Sequence, residues 1–111
     1  MARIIEHITL VAVLWSFVIT SAPAARADDA AAKLYQSKCA GCHAKDGSAS
    51  EVGKKLGARD FHSAEVQGES EAEIAQIIAK GKDKMPAYEK SLKPDEIKAL
   101  AAYVREVGGK K

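Results

Sequence analysis

Two cysteines stand three positions apart in this chain of 111 residues, with a histidine directly after the second: Cys39-Ala40-Gly41-Cys42-His43. Thiols at this spacing on a tight turn can reach the two vinyl groups along one side of a porphyrin. The imidazole that follows then lies beneath the ring, with a nitrogen able to bond iron. C-x-x-C-H is accordingly the pattern of covalent haem attachment. Gly41 is expected to permit the tight backbone path. Other chemistries fit the pair less well. A thioredoxin-like redox pair belongs to a βαβ pattern, which is missing here. A zinc site wants four ligands, and after residue 27 the chain offers only Cys39, Cys42, His43 and His62. A disulfide between Cys39 and Cys42 would close a tiny loop and add little stability.

If His43 takes one axial position on the iron, a second ligand is needed. Beyond residue 27 there is a single methionine, Met85, in Gly81-Lys82-Asp83-Lys84-Met85-Pro86-Ala87-Tyr88. A lone Met usually fills a core. Pro86, however, disfavours helical geometry at Met85 and pushes it into an extended path. A thioether presented by a rigid loop suits a sixth ligand, and Met/His ligation raises the haem potential. The competitor is His62, in Ala58-Arg59-Asp60-Phe61-His62. A histidine in a polar loop is more often a solvated side chain.

The elements that must position these groups begin after a leader-like segment. Arg3 precedes an apolar run from Ile8 to Thr20, followed by Ser21-Ala22-Pro23-Ala24-Ala25-Arg26-Ala27, whose last three residues fit the A-x-A cleavage rule. The run falls short of the roughly 20 residues that a spanning helix needs. Residues 1–27 are therefore expected to be a cleaved signal peptide, and 28–111 the folded domain. Export implies the periplasm, or another non-cytoplasmic compartment, and no stable membrane insertion. The whole chain carries a formal net charge of +2, and losing Arg3, Arg26 and Glu6 leaves about +1. So neutral a domain lacks the basic surface that nucleic-acid binding requires. A domain this small buries little apolar surface, so a cofactor is expected to complete its core.

Three helices are expected. The first runs over about 29–40, with Asp28 and Asp29 at its start and Ala31, Leu34 and Tyr35 on one face. The second opens on a capping box, Ser70 and Glu73, buries Ile74, Ile77 and Ile78, and stops at Gly81. The third starts at Pro94, presents Ile97, Leu100, Ala101, Val104 and Val107, and closes at Gly108-Gly109. Residues 44–69 are rich in glycine and mixed charge, without a period, and are expected to be a long functional loop. Nothing alternates with period 2, so the fold class is all-α.

With these residues in view, the chain resembles the class I (monohaem) cytochrome c family, especially its bacterial and c6-like members. Tyr35 and Ala31 match an aromatic and a small residue of the family's first helix, and Leu100 and Tyr103 match the pair on its last. Met85-Pro86-Ala87-Tyr88 is similar to the family's axial-ligand segment, and Gly53-Lys54-Lys55-Leu56 to the segment beside the proximal histidine. The resemblance implies a small fold of three main helices wrapped around one haem c, attached through Cys39 and Cys42, with iron between His43 and Met85. It implies a crossing of first and last helices, Leu56 against the haem, and a carbonyl orienting the His43 ring. Where many members have proline, this chain has Lys54, whose carbonyl would accept that bond.

A closed iron site argues for an electron carrier, not an enzyme. The alternative is a haem-based sensor or peroxidase-like enzyme in which Met85 leaves the iron. Redox proteins are the expected partners of a monomer, docking near Lys80, Lys82 and Lys84, with Lys45, Lys54 and Lys55 extending a basic rim.

Overall fold

The computed structural model describes residues 27–110. The expected leader, apart from Ala27, lies outside them. Six helices follow in order: α1 (Ala27–Lys38), α2 (Ala40–His43), α3 (Glu51–Lys55), α4 (Ala64–Gln67), α5 (Glu71–Lys80) and α6 (Pro94–Gly109). No strand occurs among the described residues, so the all-α expectation holds; one isolated bridge pairs Lys82 with Met85. None of these helices is long and apolar enough to cross a membrane.

The three long helices form where their signals lie. Ser70 Oγ accepts from the Glu73 N–H (3.1 Å), and the Ser70 N–H donates to the Glu73 carboxylate (3.3 Å), closing the capping box of α5. Such a cap stabilises a helix by about 1 kcal/mol. Ile74 and Ile78 of α5 are buried as expected, whereas Ile77 is only half-buried. At α6, Pro94 fills the first turn and Glu96 accepts from the Lys93 N–H at 2.9 Å. The first helix differs from expectation. It ends at Lys38, and the chain turns at Cys39 before the short α2. Both the Cys42 and the His43 N–H converge on the Cys39 carbonyl, which sets the tight turn.

The segment 44–69 is not a plain loop. Ser50 and Ser63 each cap a short helix, accepting from the N–H of Gly53 and Val66 respectively. Four- and five-residue helices carry no readable apolar period, so only their caps could have revealed them.

Ala31 and Tyr35 of α1 cross α6 beside Leu100 and Tyr103, with the Tyr35 and Tyr103 rings 5.2 Å apart. Tyr35 and Ala101 are fully buried, and the whole expected stripe of α6 is buried too. A small residue at position 31 lets the backbones approach, as the helix-crossing expectation required. Phe61, from the irregular segment, completes this core.

Gly108 is more than a helix stop. It lies inside α6, and a Cβ there would sit 2.5 Å from the Phe61 carbonyl oxygen and 2.3 Å from Gln67 Nε2. Close approach of the 61–67 segment to α6 therefore requires glycine.

Candidate haem site

The cysteines are placed by the ends of α1 and α2 and by α3, which packs against them. A Cβ on Gly53 of α3 would lie 1.8 Å from the Cys42 carbonyl oxygen. That close approach lets Ser50 serve two carbonyls of the attachment turn. Its N–H donates to the Cys42 carbonyl at 2.9 Å, and its hydroxyl lies 2.7 Å from the Gly41 carbonyl and 3.2 Å from that of Cys42. The Ala49 N–H donates to the His43 carbonyl (3.1 Å), and Tyr35 donates its phenol to the Ala44 carbonyl (2.5 Å). The carbonyls that a helix leaves without partners at its C-terminus are thus satisfied from outside. Gly41 contributes less than expected. It sits in α2 without a positive φ, and a side chain there would meet nothing within 4 Å.

Met85 is set by the other side of the molecule. Gly81 ends α5 at φ +76°, and a Cβ on it would come within 2.6 Å of the Met85 carbonyl oxygen. Lys82 and Met85 exchange backbone hydrogen bonds of 3.2 and 2.8 Å, closing a tight loop. The Tyr88 N–H then donates to the Ile78 carbonyl (3.0 Å), fastening the segment to α5.

A cleft of about 230 Å³ opens between these parts, and Cys39, Cys42, His43 and Met85 all line it. Its remaining wall is largely apolar: Leu56, Phe61, Val66, Ile74, Ile77, Ile78, Leu100 and Val104. Leu56 lies there as the resemblance implied, although it is 42% exposed. His62 is elsewhere. It is exposed and paired through Nδ1 with Asp60 at 2.7 Å, and does not line the cleft.

The Cys39 thiol lacks the lowered pKa of a redox-active pair. Burial pushes the Cys39 thiol up to about 11, against a smaller opposing effect of the Lys38 ammonium. Redox-active C-x-x-C thiols are instead held low. Both cysteines are free thiols. Burial, aided by the Arg59 charge, lowers the His43 pKa and favours neutral imidazole, the form that ligates metal. His43 stacks on Phe61, with centroids 4.8 Å apart and planes inclined by 28°. Sequence reasoning assigned no role to Phe61, because a single aromatic in an aperiodic stretch makes no pattern.

The Lys54 expectation is corrected. His43 Nδ1 is buried with no hydrogen-bond partner among the described residues, while the Lys54 carbonyl accepts from the Gly57 N–H (3.2 Å). The donor set nevertheless fits haem c. Two free thiols, a neutral imidazole and a thioether share one apolar cleft.

Comparison with known proteins agrees. Residues 26–104 match the family model described as cytochrome C oxidase, cbb3-type, subunit III. Cytochrome c6 of Nostoc sp. (strain PCC 7120) is 36% identical, the match covering 94% of this chain and 92% of that protein. The cbb3-type cytochrome c oxidase subunit CcoP of Azospirillum brasilense is also 36% identical, but this chain spans only 32% of its length. Among solved structures, the KustC0563 c-type cytochrome superposes with a TM-score of 0.66 at 38% identity, over 69% of this chain and 95% of that one. The fold, the cleft and these relatives together place the chain in the c-type cytochrome family, whose cofactor is covalently bound haem c.

Proposed function

We propose that this protein is a periplasmic electron carrier in which Cys39 and Cys42 hold one haem c and His43 and Met85 are its axial ligands. The convergence of these four side chains on one apolar cleft carries the proposal. Haem supplies a one-electron couple there. Cys39 and Cys42 bind it irreversibly, which suits a protein exported by a cleavable leader over residues 1–27. The apolar wall excludes water, and the Met85 thioether favours the reduced state. His62, held by Asp60, is poorly placed to compete.

Partners would meet the molecule beside the Met85 loop. Lys82 and Lys84 are exposed at the cleft, whereas Lys80 is paired with Glu89 at 2.7 Å. The steering charge of this rim therefore rests mainly on Lys82 and Lys84, and it is screened within about 10 Å at 0.1 M salt.

The test is Met85→Ala in protein matured with its haem. The expected results are a lower midpoint in redox titration and immediate carbon monoxide binding by the reduced variant, with slow or no binding by the parent. An unchanged optical spectrum in the variant would remove Met85 from the ligand set. Complete carbon monoxide binding by the reduced parent would favour the sensor or peroxidase-like alternative.

A further inference from the structure

Tyr88 connects the two segments that the proposed ligation needs to hold together. Its backbone N–H is fastened to the Ile78 carbonyl on α5, and the Glu89 N–H to the Ala79 carbonyl at 3.1 Å. Its phenol reaches the other way and donates to the Lys38 carbonyl at 3.2 Å, a bond spanning 50 positions in sequence. Lys38 directly precedes Cys39. The ring itself lines the cleft, three residues after Met85. Among the described residues no other hydrogen bond joins the stretch 81–92 to the stretch 27–50.

We propose that Tyr88 is a positioning residue that holds Met85 against the haem iron by tying the Met85 loop to the attachment segment. The inference rests on the Met85 ligation proposed above. A thioether is a weak ligand, and its apparent affinity scales with the fraction of time its loop is in the competent position. Lys82, Asp83, Lys84 and Pro86 of that loop are all exposed, so few side-chain contacts hold it. The Tyr88 phenol is thus the polar tie between loop and attachment turn. Burial raises the Tyr88 pKa, so the phenol stays protonated and able to donate.

The test compares four haem-bearing proteins: the parent, Tyr88→Phe, Met85→Ala and the double variant. Imidazole binding to the ferric form reads how readily the native sixth ligand is displaced. Thermal unfolding reads any purely structural effect. Phenylalanine keeps the ring and its packing. Tyr88→Phe is expected to bind imidazole about threefold to fivefold more tightly, as loss of one partly exposed neutral hydrogen bond implies. Met85→Ala is expected to bind it far more tightly, and adding Tyr88→Phe to that variant should change nothing further. Unchanged imidazole affinity in Tyr88→Phe, whatever its melting temperature, would overturn the proposal. So would an equal gain in the Met85→Ala background, because Tyr88 would then act on something other than Met85. If Met85→Ala alone leaves imidazole affinity at the parent value, the ligation reading itself fails.

Discussion

Gly53→Ala should damage this protein more than the same change at Gly41, the glycine inside the haem-attachment motif. The added Cβ would lie 1.8 Å from the Cys42 carbonyl oxygen, 2.7 Å from its carbon and 3.1 Å from its Cα. All three are backbone atoms, so no rotamer change relieves the clash. Non-bonded heavy atoms need roughly 3.5 Å, so α3 and α2 must part by about 1.5 Å. That retreat breaks the Ser50 bonds to the Gly41 and Cys42 carbonyls, now 2.7 and 2.9 Å. Two lost hydrogen bonds cost about 2 kcal/mol, and the residual overpacking adds about 1–3 kcal/mol. Alanine regains up to about 1 kcal/mol as the better helix former. The net loss is about 2–4 kcal/mol, a large share of the stability of a small domain. Gly41→Ala is the control. Nothing lies within 4 Å of its Cβ and its backbone is helical, so it should be neutral or stabilising by up to about 1 kcal/mol. Denaturant unfolding of the haem-bearing variants, followed by circular dichroism and haem absorbance together, measures both. A Gly53→Ala loss below about 1 kcal/mol, or an equal loss at Gly41, would refute the close-packing argument.

Gly108→Ala should cost about 1–3 kcal/mol through overpacking against the Phe61 carbonyl and Gln67, read by the same unfolding curves, whereas Gly109→Ala, with nothing within 4 Å, should be tolerated. Burial raises the Tyr35 pKa, with smaller contributions from Tyr103 and Asp46. The folded state therefore keeps the phenol proton longer than the unfolded chain, so the stabilisation is whole below about pH 10 and falls as pH rises beyond that value. Tyr35→Phe should lower stability at neutral pH by about 1–2 kcal/mol and flatten the alkaline decline; parallel pH curves for parent and variant would contradict this. The chain with both Cys39→Ala and Cys42→Ala, exported without attached haem, should lose cooperative thermal unfolding, because the apolar cleft is left open to water. A sharp transition by circular dichroism would show that the core is sufficient without the cofactor.

Much was legible from local chemistry. The C-x-x-C-H spacing is a property of consecutive residues, and so are the Ser70 capping box, Pro94 at a helix start and the 3.6-residue stripe of α6. The Ala31, Tyr35, Leu100 and Tyr103 crossing was legible through the family resemblance. The segment 44–69 was not. Its two helices are about one turn each and show themselves only through Ser50 and Ser63, which read equally well as loop residues. Gly41 drew attention because it stands in the motif, yet the backbone constraint falls on Gly53, which must pass close to the Cys42 carbonyl. Nothing in the run Glu51-Val52-Gly53-Lys54-Lys55 announces that contact, because its other half lies in a different helix.

The sequence by itself determined the cofactor chemistry, the helical class and the three long helices, because those follow from spacing and periodicity within short windows. Only the tertiary structure decided the rest. It brought Met85 to the same cleft as Cys39, Cys42 and His43, sent His62 to Asp60 and left His43 Nδ1 without the Lys54 carbonyl. It also set the close approaches at Gly53 and Gly108 and joined the Tyr88 phenol to the Lys38 carbonyl. Each depends on a contact between segments that local patterns do not connect, and such contacts are decided by how the helices pack.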